Sequence, residues 1–253
     1  MKLNEVQALI TGSASGLGFC FALELARAGA KVVAVDMNAA GLHLLETECK
    51  ELKGTLLTGK LDVTDEASVM SFVRDTSDEC GGFNVLVNNA GILRDGLLVQ
   101  KENSWIKKLP MTPWKQVIDV NLTAPYVLTR EVTADIIKRG IKESVVINIS
   151  SISRSGNPGQ SNYAASKAGL DACTRTWALE LASHGVRVAG IAPGLVDTPI
   201  LDHISEEAKA SLINGIPLGR IGTPYEIWLA LKFIIECDYF TGRVIEVDGG
   251  STF

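Results

Sequence analysis

The sequence predicts an α/β fold, a doubly wound parallel sheet of about seven strands with helices on both faces. Three observations carry this. Apolar runs rich in β-branched residues recur along the chain with helical patterns between them. The runs are apolar on both faces, as parallel strands covered on either side must be. A glycine-rich turn separates the first run from the first helix. Such a sheet binds ligands at the carboxyl ends of its strands.

The runs lie at residues 6–10, 31–35, 55–61, 85–87, 145–149, 186–191 and 244–247. Each of the first six leads through a turn into a candidate helix. The polar, mixed stretch 100–108 interrupts this rhythm before a helix starting near Pro113, and reads as a surface insertion. At 253 residues and 46% hydrophobic, the chain suits one domain over residues 1–253. The net charge of −5, with scattered basic residues, offers no positive stripe, so neither nucleic acid nor a membrane surface is an expected partner. No long apolar segment opens the chain, which points to an unprocessed, soluble, cytoplasmic protein. Its five cysteines are widely separated and its three histidines share no metal spacing, so no metal site and no histidine-based triad is expected.

After the first strand comes Thr11-Gly12-Ser13-Ala14-Ser15-Gly16-Leu17-Gly18, opening a helix. Glycines there permit a tight turn, close approach of a pyrophosphate to backbone N–H groups, and close helix-on-strand packing, while the helix start faces the phosphates with partial positive charge. The Gly-Lys-Ser/Thr of a phosphate-binding ATPase loop is absent. The second strand ends in Asp36, where a carboxylate can accept hydrogen bonds from ribose hydroxyls and repel a 2′-phosphate. No Arg or Lys stands at Ser15 or in Met37-Asn38-Ala39-Ala40, so NAD(H) is expected over NADP(H). A strand-end or capping role is the plainer alternative for Asp36.

Tyr163 and Lys167 stand four residues apart on a predicted helix, hence on one face. A nearby ammonium favours a phenolate, which makes tyrosine a usable proton donor and acceptor. Alone, such a pair is common on helix surfaces.

It is not alone. Thr11-Gly12-x-x-x-Gly16-x-Gly18, Asn88-Asn89-Ala90-Gly91, Asn121, Ser150-Ser151, Tyr163-x-x-x-Lys167 and Pro193-Gly194 occur in the order of the short-chain dehydrogenase/reductase family, which the whole chain resembles. The resemblance implies a Rossmann-type fold and an enzyme that interconverts a ketone and a secondary alcohol. It makes Tyr163 the general acid/base, with Lys167 lowering its pKa and holding the nicotinamide ribose, and Asn121 anchoring a water that leads protons away. Ser15 and Leu17 resemble the family's contacts in the glycine turn, Asp62 and Val63 the pair around the adenine, and Asn89, with Gly91 in the same motif, a segment whose backbone meets the cofactor. Pro193, Val196 and Thr198 resemble the loop that grips the nicotinamide amide. Asp62 and Thr198 could equally cap the helices that follow.

Counting back from Tyr163 by the family's usual spacing lands on Ser150 as the serine that binds the substrate oxygen, whereas reading along the strand lands on Ser151. A slip in a paired central strand would turn every side chain to the other face, while a loop tolerates a deletion, so Ser151 is the choice. Ser150 would then face the packed side.

Within the family, the segments around Gly91, Gly159, Pro217 and Val247 are similar to 3-oxoacyl-(acyl-carrier-protein) reductases, while the insertion, Asp36 and Ile191-Ala192-Pro193-Gly194-Leu195 are more similar to type II 3-hydroxyacyl-CoA dehydrogenases. Both imply a β-keto thioester substrate, on CoA or an acyl carrier; another small ketone, a sugar or a steroid is the alternative, and a non-catalytic NAD(H) sensor a distant one. Stretch 198–215 is expected to form the substrate lid. Segment 227–235 and the last strand with Phe253 resemble the family's self-association surfaces, which implies a homotetramer.

Overall fold

The computed structural model describes residues 1–102, 105–201 and 206–251; Phe253 and part of the expected lid lie outside them. The seven expected runs form one parallel sheet: β1 (Gln7–Thr11), β2 (Lys31–Asp36), β3 (Thr55–Lys60), β4 (Val85–Asn88), β7 (Ser144–Ile149), β8 (Val186–Pro193) and β9 (Val244–Val247). The order across the sheet is β3-β2-β1-β4-β7-β8-β9. Progress reverses between β1 and β4, which opens a crevice at their carboxyl ends. The insertion folds as an exposed antiparallel hairpin of β5 (Val99–Glu102) and β6 (Trp105–Lys108).

Alternation along each central strand supplies two separate cores. Ala8 and Ile10 of β1, Val32 and Ala34 of β2, and Val145 and Ile147 of β7 point to one face. There they meet α1 (Gly16–Arg27), α2 (Ala39–Cys49) and α8 (Pro224–Glu236). Leu9, Val33, Leu86, Val146 and Val188 point to the other, against α3 (Glu66–Cys80), α5 (Ala124–Arg139) and α6 (Ser161–Leu181). Each fully buried Val, Leu or Ile among them contributes roughly 1.5–3 kcal/mol. The edge strand β3 departs from the both-faces pattern. Thr55, Leu57 and Lys60 are exposed, because α2 covers only the face that carries Leu56.

Two further differences bear on the site. The helix before the crevice, α4 (Met111–Ile118), begins two residues ahead of Pro113 and runs through a π-helical turn, Asp119–Thr123, into α5. Segment 227–235 is largely core: Ile227, Trp228, Leu231, Ile234 and Ile235 are buried in this chain, and only Leu229 and Phe233 on α8, with Tyr225 ahead of them, face outward. An apolar run seen in sequence does not say which of its faces is taken by its own sheet. Beneath the crevice, buried amides cross the sheet. Asn88 donates to Thr129 Oγ1 and to Asn148 Oδ1, and Asn148 donates to Thr174 Oγ1 of α6 at 2.9 Å.

Candidate active site

At the cofactor end the site is built from backbone. Gly12 and Gly16 take left-handed φ values of +68° and +55°, which a residue with a Cβ adopts at a cost. A Cβ on Gly18 would lie 2.2 Å from the Gly12 carbonyl oxygen, so only glycine allows α1 to start this close to β1. The turn is laced to β4: Thr11 Oγ1 accepts from the N–H groups of Asn89 and Ala90 at 3.1 and 3.0 Å, and Asn89 Nδ2 donates to the carbonyls of Thr11 and Gly12. Asp36 ties it to β2, accepting from Ala14 N at 3.0 Å and from Asn38 N at 2.9 Å. Ser15, the exposed N-cap of α1, makes no capping hydrogen bond, and no acidic residue sits in the first turn. The helix start is therefore left to an outside acceptor, which fits a pyrophosphate. Leu17 is half-buried against the first core.

The other expected cofactor positions lie at the end of β8 and on the turns that follow β3, β4 and β8. Asp62, exposed after β3, accepts from Thr64 N and Thr64 Oγ1 at 2.9 and 2.7 Å, holding its own turn. It does not cap α3; Asp65 does, accepting from Ser68 N. Val63 packs on the second core. Pro193 ends β8 beside Val247 of β9, and Val196, buried, bridges to Gly222. Thr198 donates to the Val196 carbonyl, and its methyl group would lie 3.3 Å from a Cβ on Gly16, so this loop closes over the glycine turn. Gly91 stands further along the crevice: a Cβ there would lie 3.5 Å from Asn121 Oδ1 and 3.6 Å from Lys167 Nζ. It belongs as much to the chemical end as to the cofactor end.

The chemical end is built from buried side chains. The π-helical turn carries Asn121 inward, fully buried, where its amide accepts from Ile92 N at 2.8 Å and donates to Ile92 O at 3.0 Å. On α6, Lys167 Nζ lies 5.5 Å from the Tyr163 ring centre and donates to the Ile149 carbonyl, at the end of β7, at 2.7 Å. The two serines after β7 go to different sides. Ser151 opens the short 3-10 turn Ile152–Ser155, accepts from Ser153 N, and stands near enough to the Tyr163 hydroxyl to favour its ionised form. Ser150 Oγ is buried on the side of Asp171, without a hydrogen-bond partner of good geometry.

Burial pushes the Tyr163 hydroxyl up; the nearby Ser151 hydroxyl pulls it back, and the charge of Asp95 adds to the rise. Burial lowers Lys167 itself to about 8, against the charge of Asp171, which raises it.

Several site residues escaped the sequence reading. Asn162, fully buried, donates to the carbonyls of Arg94 and Pro113 and accepts from Tyr163 N. Gln160 Nε2 donates to Asp95 Oδ2 at 2.9 Å, and Gly96 N donates to Gly159 O at 2.8 Å. Together they sew the segment after Gly91 to the start of α6. The signal for them was that they fall in the segments around Gly91 and Gly159 that resemble 3-oxoacyl reductases, with Asn162 directly before Tyr163.

Among the described residues, no three His, Cys, Asp or Glu side chains are grouped to hold a metal ion, and no helix is long and apolar enough to cross a membrane. A phenol and a serine hydroxyl near one another, backed by an ammonium at the carboxyl ends of the central strands, suit proton transfer to a carbonyl oxygen next to a hydride carrier.

Comparison with known proteins agrees with this chemistry. The short chain dehydrogenase family matches residues 6–209. The chain is 40% identical over 253 residues to the 3-oxoacyl-[acyl-carrier-protein] reductase of Thermotoga maritima, covering 99% of each. It is 35% identical to the enzyme of the same name from Vibrio harveyi, covering 99% of this chain and 98% of that one. A crystal structure of a short-chain type dehydrogenase/reductase from Mycobacterium marinum superposes with a TM-score of 0.89 at 28% identity, over 98% of this chain and 97% of the other. With its strand order, its glycine turn and its Tyr163–Lys167 face, the chain belongs to the short chain dehydrogenase family and is an oxidoreductase.

Proposed function

We propose that the protein is an NAD(H)-dependent oxidoreductase interconverting a 3-oxoacyl thioester and its 3-hydroxyacyl form. The observation that carries this reading is the meeting of Tyr163, Ser151 and buried Lys167 at the crevice that the glycine turn and Asp36 also face. In reduction, the Ser151 hydroxyl donates to the substrate carbonyl oxygen and Tyr163 gives that oxygen its proton; in oxidation, Tyr163 takes the proton back. Burial keeps Tyr163 protonated, the form reduction starts from. The Lys167 ammonium beside the ring offsets the phenolate that remains. Asn121, held at both ends of its amide by Ile92, borders the space next to Lys167 through which a water can pass protons outward.

The residues present fit a nicotinamide dinucleotide, which when bound supplies or takes the hydride. Gly12, Ser15, Gly16, Leu17 and Gly18 would hold its pyrophosphate at the uncapped start of α1, and Asp36 its adenosine ribose. Asp62, Val63, Asn89 and Gly91 would border the adenosine side, while Pro193, Val196 and Thr198 would border the amide and Lys167, with Tyr163, the nicotinamide ribose. NAD(H) is favoured over NADP(H) because Asp36 would repel a 2′-phosphate and residues 37–40 carry no cation to hold one. The thioester reading draws on the relatives, which are named for 3-oxoacyl-[acyl-carrier-protein] reduction. A cytoplasmic homotetramer completes it, with outward-facing Tyr225, Leu229 and Phe233 of α8 as a contact stripe.

The test is turnover of purified protein with NADH and with NADPH on acetoacetyl-CoA, longer 3-oxoacyl thioesters and simple ketones. Consumption of NADH with a thioester is expected. Activity confined to simple ketones or sugars would overturn the substrate, and a preference for NADPH would overturn the cofactor.

A further inference from the structure

Behind the Tyr163–Lys167 face lies an ion pair that the chemistry above leaves unused. Asp171 stands one helical turn beyond Lys167 on α6 and is 6% exposed. Its Oδ2 pairs with Arg154 Nε at 2.7 Å. Arg154 comes from the 3-10 turn that follows Ser151; it also donates to the Ser151 carbonyl at 3.3 Å and to Glu246 of β9. One guanidinium thus joins the helix that carries Tyr163 and Lys167, the backbone of Ser151, and the edge strand.

The pair is not satisfied as a merely structural pair would be. Asp171 Oδ1 and Ser150 Oγ are both buried without a hydrogen-bond partner of good geometry, though the serine hydroxyl is near enough to favour the ionised carboxylate. Burying ionised groups with unmet lone pairs is costly, and apolar side chains of similar size often serve stability as well or better. Stability is therefore a poor account of why these two residues are here.

We propose that Arg154 and Asp171 are positioning residues for this site, Arg154 by fixing the backbone of Ser151 and Asp171 by supplying the balancing negative charge for the buried Lys167 ammonium. The inference rests on the proposed ketone chemistry. The charged groups facing Asp171 are Arg154 from the turn after β7, and Lys167 and Arg175 from its own helix. Tyr163 is faced by Asp95, and the outer side of Arg154 by Glu246. Of these groups, Asp171 is the one whose charge works against the burial that lowers Lys167.

The test uses the full chain with Asp171→Asn, with Arg154→Met and Arg154→Lys, and with the double change Asp171→Leu and Arg154→Met. Lys167 is titrated by NMR of its 13Cε carbon, assigned through Lys167→Arg. Without the Asp171 charge, burial acts on Lys167 unopposed, so its midpoint should fall by about half a pH unit or more in Asp171→Asn. The alkaline limb of the kcat profile should move down with it. Arg154→Met should lower kcat with KM for NADH unchanged, and Arg154→Lys should recover part of the loss. If Asp171→Asn does not fold, the double variant, which removes Asp171 together with its Arg154 partner and so leaves no unpaired guanidinium behind, gives the same reading. An unmoved Lys167 midpoint in a folded variant overturns the proposal. Because the titration needs no substrate, it separates this outcome from a wild type that turns over no ketone, which would sink the function proposed above.

Discussion

The glycine turn after β1 and the cluster on α6 face one crevice, yet the first is made of backbone and the second of buried side chains. The turn works through φ angles and steric room: Thr11, Asn89 and Asp36 spend their side chains holding main chain in place. The cluster works through protonation: Tyr163, Lys167 and Asp171 are all displaced from their ordinary ionisation by burial. The lesson is that damage at the two ends should look different. Backbone damage should strike cofactor binding and folding at every pH, whereas cluster damage should strike the chemical step and its pH dependence.

The largest expected effect lies in the cluster. Tyr163→Phe removes the proton donor and keeps the ring, so turnover should fall by about 100- to 10,000-fold, the range of general acid/base catalysis. NADH affinity, followed by fluorescence, should stay within a few-fold. Retention of more than about a tenth of the wild-type rate would break the assignment. At the other end, Gly18→Ala places a methyl group against the Gly12 carbonyl oxygen, with backbone on both sides of the clash. It should weaken NADH binding and lower the melting temperature together; full NADH binding in this variant would show that the turn tolerates what its geometry excludes.

The two serines sharpen the comparison inside the cluster. Ser151→Ala should cost about 2–4 kcal/mol of transition-state stabilisation, as loss of an oxyanion donor does, while Ser150→Ala, facing Asp171, should cost much less in kcat/KM. The reverse order would hand the role to Ser150. A smaller effect is expected at Asp36: with Ala there and Arg in place of Met37, preference should shift from NADH towards NADPH, since repulsion is removed and a phosphate partner added. A wild type that uses both cofactors equally would refute the reading of Asp36.

The sheet was legible in the sequence because parallel strands buried on both faces leave a period and composition that nothing else does, and the edge strand β3 was misread for want of a second covering helix. The glycine turn and the Tyr163–Lys167 spacing were legible because each is local. The rest of the site is assembled by long-range contact. The π-helical turn that buries Asn121 leaves no local pattern, and Arg154 meets Asp171 only once β7 and α6 have packed. The apolar run on α8 showed its strength without its direction: most of it packs on this chain's own sheet, and Tyr225, Leu229 and Phe233 are the apolar side chains it leaves outward. Asp62, read beside the adenine with a capping role as the alternative, does not cap; three residues on, Asp65 takes that position.

The smallest expected effect tests the comparison through stability. Lys167 titrates at about 8 in the folded chain against an ordinary 10.5, so folding disfavours its charged form. The penalty is fully present below pH 8 and fades as the pH rises towards 10.5, because in that window the unfolded chain binds the extra proton. Lys167→Met removes the penalty along with the hydrogen bond to Ile149, and that bond contributes over the same window with little pH dependence. The stability of wild type relative to Lys167→Met, measured by urea unfolding, should therefore rise between pH 8 and 10.5, even as turnover declines with loss of the ammonium. The deficit of Gly18→Ala relative to wild type should stay level across the same range, since no ionisable group takes part in its clash. A Lys167→Met difference that is equally level would show that the buried lysine keeps the ordinary lysine range and stays charged in the folded chain, so that burial does not displace it.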